Sequence, residues 1–156
     1  LRRVPRRAAL RVLLQRVHRA SVTVRDELVS EIGPGLLLFV GVGAGDGFGD
    51  YDRLADKVVH LRVFEDEHGK MNRSLSEVGG EILVVPQFTL YGDVRRGRRP
   101  SWDGAAPPDI AEDRVEAFAK ALEARAATVR RGAFREHMQV ELVNDGPVTL
   151  WIDSAG

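Results

Sequence analysis

Residues Leu36 to Val42 form an unbroken apolar run of strand length, with the turn signal Gly33-Pro34-Gly35 before it and glycines at 41, 43, 45, 47 and 49 around its end. A strand without polar alternation has to be covered on both faces, so this segment reads as the centre of a layered fold. The remaining pattern supplies the layers. Leu10 to Val17, Val22 to Val24, Leu28 to Ile32, Ile82 to Leu90, Met138 to Val143 and Val148 to Ile152 read as strands. The polar break Arg25-Asp26-Glu27 fits a hairpin. Tyr51, Leu54, Ala55, Val58 and Val59 recur at helical spacing, with Asp50 placed to cap. A second helix is expected from Asp109, with Glu112 completing a capping box and Val115, Phe118, Ala119 and Leu122 as its buried stripe. At 156 residues the chain suits one domain with a real core. Strands, helix, strands, helix, strands in that order predict a single α+β domain with a mixed or antiparallel sheet.

Composition excludes several chemistries. There is no cysteine, which removes disulfides, thiolate nucleophiles and cysteine zinc sites. His18, His60, His68 and His137 do not pair at metal-ligand spacing, so no metal is expected. The glycine-rich stretch lacks the Lys-Ser/Thr of a phosphate loop, and Phe48 stands where a dinucleotide fingerprint needs its third glycine. No cofactor is therefore expected. Gly-x-Ser-x-Gly is absent, and His137 is the best of four poor candidates for a base. No apolar run reaches the ~18 residues of a membrane helix, so no membrane partner is expected. Net charge is zero, but of 23 basic residues only Lys57, Lys70 and Lys120 are lysine. Arginines gather at 2, 3, 6, 7 and 11 and again at 95, 96, 98 and 99, and guanidinium forks suit phosphates. An arginine-rich codon bias with solvated loops is the alternative. Residues 1–9 are basic, lack an apolar core for a secretory signal, and are expected to be poorly ordered. The domain is placed at residues 10–154.

Two segments are chemically unusual. Gln87 and Thr89 interrupt an otherwise apolar strand at its C-terminal end, a common place for ligand groups. An exposed strand face would give the same alternation. The basic, Gly- and Pro-rich stretch that follows, Gly92 to Pro108, is long for a connection in a small domain, which points to function. Asn144-Asp145-Gly146-Pro147 reads locally as a hairpin turn. A cis X-Pro bond is also within reach, at about 0.5–1 kcal/mol, and would set two rigid carbonyls as a wall. The sequence does not fix the isomer.

These segments, with Leu13-Leu14-Gln15-Arg16-Val17, Ala20 to Val24, Gly33 to Leu37, Gly69-Lys70-Met71-Asn72, Arg99-Pro100-Ser101, Met138-Gln139-Val140 and Leu142 to Thr149, resemble the D-aminoacyl-tRNA deacylases from about Leu10 to Asp153. The resemblance implies a barrel-like core of mixed or antiparallel sheet with two main helices outside. It implies a cytoplasmic homodimer that hydrolyses the ester joining a D-amino acid to the tRNA 3′ end, and that clears glycine from alanine tRNA. It places the active site at the subunit interface. Gln87, Phe88 and Thr89 match the catalytic strand-end segment. Gly146 and Pro147 match the Gly-cisPro dipeptide that reaches into the partner's site and excludes L side chains. Arg16 matches the arginine that orients the dipeptide. Phe134 and Met138 fall in the region expected to face the terminal adenosine.

The physics of that assignment is coherent. A backbone wall rejects an L side chain by clash and lets glycine pass. Backbone N–H groups near Phe88 and Thr89 would hold the oxyanion. The ribose 2′-OH is preferred over the Thr89 hydroxyl as the assisting group, because no general base is apparent near Thr89. Three positions depart from the family pattern: Pro86 stands for the usual Ser, Trp102 for Phe and Arg131 for Thr. Pro86 leaves open a non-catalytic tRNA-binding dimer. A small-molecule esterase on the same scaffold is disfavoured by the missing triad and the arginine-rich loop.

Overall fold

A single long strand, β1 (Leu10–Val24), organises the sheet. The computed structural model describes residues 9–45, 49–126 and 128–155. The expectation for residues 1–9 lies, apart from Ala9, outside the described residues. Ala9 is anchored, its carbonyl accepting from Gly43 N at 2.8 Å.

β1 was expected as two pieces, and its burial pattern shows why. Buried residues alternate from Leu10 to Leu14, then His18 and Arg19 are both exposed, and alternation resumes at Ala20. The pairing with the last strand slips between Gln15 and Val17 and again between Val17 and Arg19. A bulge of this kind breaks the period-two signal without ending the strand.

Arg25 and Asp26, both at positive φ (48° and 65°), turn the chain into β2 (Glu27–Ile32). Two consecutive left-handed residues match the right-handed twist of a hairpin. β3 (Gly35–Val42) then lies antiparallel to the first half of β1. β4 (Phe64–Glu65) and β5 (Met71–Arg73) form a separate small ribbon. β6 (Glu81–Pro86) is parallel to β3, and β7 (Val129–Arg131) is parallel to β6. β8 (Gln139–Asp153) runs antiparallel along almost the whole of β1. The order is β2-β1-β3-β6-β7 with β8 on the other flank of β1, a mixed sheet that curls into a nearly closed barrel.

The helices are α1 (Tyr51–His60), a single turn α2 (Leu75–Val78) and α3 (Pro108–Glu123). Asp50 caps α1 as expected, its Oδ1 accepting from Arg53 N at 3.0 Å. The capping box expected for α3 does not form. Pro107 is the cap and Pro108 opens the helix, so the cap has neither a side-chain acceptor nor an N–H to offer, and Glu112 lies two residues past the position a capping box needs.

β3 has the two covered faces its composition demanded. Leu36, Leu38 and Val40 pack with Val58, Phe118 and Leu122 beneath the helices. Leu37 joins Val17, Val22, Leu83 and Val85 inside the curled sheet, with Phe39, Met138 and Val140 at the margin. The helix-covered core is the larger, and it holds Phe118 fully buried.

Candidate active site

The residues singled out from sequence fall into two groups that lie apart in the fold. The first sits where β6 ends. Pro86 pairs with Val40 in the parallel ladder, and Gln87 N donates to Val40 O at 2.8 Å. The strand was expected to run to Leu90. It stops at Pro86 instead, and Phe88–Tyr91 form a 3-10 turn. The first N–H groups of such a turn have no partner inside it, so those of Phe88 and Thr89 are left for a partner outside it. Leu90 N and Gly92 N close the turn onto Gln87 O and Thr89 O at 3.3 and 2.9 Å. Phe88 and Thr89 are exposed and Gln87 is half-buried.

The Thr89 hydroxyl accepts from Gln87 Nε2. Among the described residues no histidine or carboxylate bonds to it. All four histidines are exposed, and His60 merely folds back onto Asp56 O at 2.8 Å. Among the described residues, then, no side-chain base stands within hydrogen-bond reach of Thr89.

Arg11 holds the far end of this turn. Its Nη1 donates to Leu90 O at 3.0 Å, its Nε to Asp153 Oδ2 at 3.3 Å, and its guanidinium lies 4.2 Å from the centre of the Tyr91 ring. The Tyr91 hydroxyl is buried with no hydrogen-bond partner among the described residues. Burial, and then the charge of Asp153, push its pKa up to about 12. Tyr91→Phe removes an unsatisfied polar atom and keeps the ring, so it is expected to hold or raise the urea midpoint, by up to ~1 kcal/mol. A loss of that size instead would show that the hydroxyl has a partner.

Met138 lies beside the C-terminal end of β6. Gly132 N donates to Val84 O at 2.8 Å. A Cβ at Gly132 would lie 3.1 Å from Met138 Sδ and 3.6 Å from Val85 Cγ2, so glycine lets the methionine settle there. Met138 borders the inner cluster, whereas Phe134 packs on the helix-covered core. Arg131, nearby in sequence, forks onto Glu116 of α3 at 2.8 and 2.9 Å and also meets Glu123, so its place is structural.

The second group lies on β8. Val17 pairs with Asn144 and Gln15 with Thr149, so residues 145–148 are looped out of the ladder between two paired flanks. A turn was read here, but β8 continues through it. Asn144 clamps the loop, donating through Nδ2 to Val148 O at 3.1 Å and accepting from Val148 N at 2.9 Å. The Gly146-Pro147 bond is cis. Buried Arg16 underpins it, donating through Nε to Asp145 O at 2.8 Å and through Nη1 to Val63 O at 2.6 Å.

Gln87, Phe88, Thr89 and Met138 therefore lie toward the C-terminal end of β6, Phe134 packs on the helix-covered core, and Arg16, Gly146 and Pro147 gather elsewhere. Arg11 and Arg16 are five residues apart on β1, about 17 Å of strand. The sequence marks Arg11 only as one of a cluster of arginines and Trp102 only as a departure from the family pattern, and gives neither a place beside this turn. A cluster of arginines and a lone aromatic in a loop carry no periodicity that would place them there.

The architecture is that of an α+β barrel with Gln87 to Thr89 exposed or half-buried at the end of β6. The sequence profile of the D-Tyr-tRNA(Tyr) deacylases matches residues 13–153, and the chain belongs to that family of hydrolases. It is 62% identical over 146 residues to the D-aminoacyl-tRNA deacylase of Thermomicrobium roseum, covering 94% of this chain and 95% of that one. It is 57% identical over 147 residues to the enzyme of the same name from Heliobacterium modesticaldum, covering 94% and 98%. Among solved structures it resembles the c-Myc DNA Unwinding Element Binding Protein, at TM-score 0.84 and 39% identity, covering 91% of this chain and 97% of that one. A probable eukaryotic D-amino acid tRNA deacylase shares the fold at TM-score 0.80 and 18% identity, covering 93% and 99%.

Proposed function

We propose that this chain hydrolyses the ester between a D-amino acid and the 3′ end of tRNA, and the same ester of glycine on alanine tRNA. The observation that carries this reading is the 3-10 turn at Phe88 and Thr89, which offers backbone donors at an exposed strand end with no base beside it. Water adds to the ester carbonyl, the oxyanion takes hydrogen bonds from Phe88 N and Thr89 N, and the ribose 2′-OH relays the proton. The bond to the 3′-oxygen then breaks, that oxygen takes a proton, and amino acid and tRNA leave.

In this reading Gly146 and Pro147 form the chiral wall, held by Arg16, and they serve the turn of a second copy rather than their own. The separation along β1 supports this, as do Val143, Leu150 and Trp151, which remain exposed on β8 for a partner to cover. Phe134 and Met138 would border the terminal adenosine. The setting proposed is the cytoplasm, with no cofactor. Pro86 leaves the ladder bond at this point in place, because that bond comes from Gln87 N.

The test is amino-acid release from D-aminoacyl-tRNA, its L counterpart and glycyl-tRNA(Ala). Selective release of the first and third is expected, and equal background release from all three would sink the reading. Thr89→Ala is expected to keep at least about one-tenth of kcat, since loss of a true nucleophile costs on the order of 10³-fold or more. A loss of that size would restore Thr89 as the nucleophile.

A further inference from the structure

Phe88 and Trp102 are an exposed aromatic pair beside the proposed ester-cleaving turn. They are 56% and 41% exposed, with ring centres 5.0 Å apart in an edge-to-face contact. Trp102 rests on bare backbone: a Cβ at Gly92 would lie 2.8 Å from its Cζ3, so glycine there is what lets the indole lie down. Between Gly92 and Trp102 runs a tight loop, closed by two hydrogen bonds of 2.8 Å between Asp93 and Ser101. Asp93 is fully engaged inside it. It accepts from Arg95 N, Nε and Nη2 at 3.0, 2.9 and 2.7 Å, and Arg95 holds its carboxyl down at about 2. With that acid neutralised, Arg96, Arg98 and Arg99 project into solvent with no ion pair among the described residues.

Exposed aromatic faces next to uncompensated arginines are the combination that binds single-stranded nucleic acid. Bases stack on the rings and guanidiniums meet the phosphates. A protein partner would be expected to find a broader apolar surface, which these two rings do not make. Edge-to-face packing and the Gly92 backbone cover part of the pair, and the remaining exposed ring surface, about half of each residue, is what a base would stack on.

We propose that Phe88, Trp102 and the loop arginines 96, 98 and 99 form a platform for the single-stranded nucleotides that precede the terminal adenosine of the substrate tRNA. This rests on the deacylase reading and adds to it a subsite beyond the scissile ester. Trp102 is a binding residue here, and the chemistry stays with the turn.

Two substrates separate the platform from the chemistry: D-aminoacyl-tRNA, and D-aminoacyl-adenosine, which lacks the upstream nucleotides. Trp102→Ala is expected to raise KM for the tRNA about 5- to 100-fold while kcat holds. The ratio of kcat/KM on tRNA to that on aminoacyl-adenosine should fall by the same factor. Trp102→Phe should recover most of it, because an aromatic face returns. Changing Arg96, Arg98 and Arg99 together to Gln should flatten the log K against log salt slope for tRNA binding by about 2. A ratio unchanged in Trp102→Ala, in protein whose circular dichroism is native, would overturn the platform.

A binding readout does not depend on turnover. In a Trp151→Phe protein, Trp102 is the remaining tryptophan. Its fluorescence is expected to quench on adding the RNA trinucleotide CCA, the end common to tRNAs. If neither substrate is hydrolysed, the deacylase reading falls and quenching alone decides the platform. Absence of quenching then overturns it.

Discussion

Gly146→Ala should lose about 100-fold in kcat/KM on a D-aminoacyl-tRNA and narrow the preference for D over L. The added Cβ would sit 2.6 Å from Val148 N, 2.8 Å from Val148 Cγ2 and 3.4 Å from Arg16 Nη2. The first two distances are not tolerable, and the φ of +154° is itself unfavourable for an L side chain. The loop has nowhere easy to go, because Asn144 ties both Val148 N and Val148 O. Relief must come from moving residues 145–147, and an ångström of misplacement at a positioning element is worth on the order of 10²-fold. Folding stability should drop by only about 1–3 kcal/mol. A melting curve therefore separates a displaced loop from an unfolded protein. Full kcat/KM with unaltered D/L preference would remove Gly146 from the selection of substrate.

The second large effect is expected at Arg16. Its side chain is nearly inaccessible and satisfies two main-chain carbonyls, Asp145 O and Val63 O. Its ion pairs matter less: Glu65 at 3.9 Å and Asp145 at 3.7 Å are distant, and both carboxylates are more than half exposed. Hydrogen bonds from a charged donor are worth about 1.5–3 kcal/mol each. Arg16→Ala leaves both carbonyls stranded and should cost about 3–5 kcal/mol, a large share of the roughly 5–15 kcal/mol that holds a domain together. Arg16→Lys should recover part of this at most, since an ammonium cannot reproduce the fork. Urea denaturation reads the loss. A midpoint shift worth less than about 0.5 kcal/mol in Arg16→Ala would show that the carbonyls find other donors. Activity should fall in Arg16→Ala even under conditions where the protein is folded, because the loop at 145–148 has lost its support.

Much of this was legible in the sequence, and the failures share a cause. Leu36 to Val42 announced a two-sided strand because burial on both faces dictates composition directly. Tyr51 to Val59 announced a helix because one buried face imposes a 3.6-residue rhythm. Local signals misled where a distant strand overruled them. Asn-Asp-Gly-Pro is a turn by its own chemistry, but β1 pairs with both of its flanks and keeps it within β8. Gln87 to Leu90 looks like strand, but the chain winds into a 3-10 turn once Gln87 N has taken Val40 O. Glu112 suggests half of a capping box by its spacing from Asp109, but the helix starts earlier, at Pro108 with Pro107 as its cap. At the site, Arg16, Gly146 and Pro147 could be grouped only through resemblance. Nothing in spacing predicts that residues 16 and 145 touch, and the gap between their group and Gln87 to Thr89 is a fact of register.

That register has an implication for how this chain can vary in length. β1 carries Arg11, which fastens the turn, and Arg16, which fastens the loop, on positions of opposite parity. Inserting or deleting one residue between them would swing one guanidinium to the wrong face of the sheet and unhitch one element while sparing the other. Length changes should thus be admissible in the surface connections around β1 and forbidden within Arg11 to Arg16, so that this short stretch fixes the reading frame of the whole site.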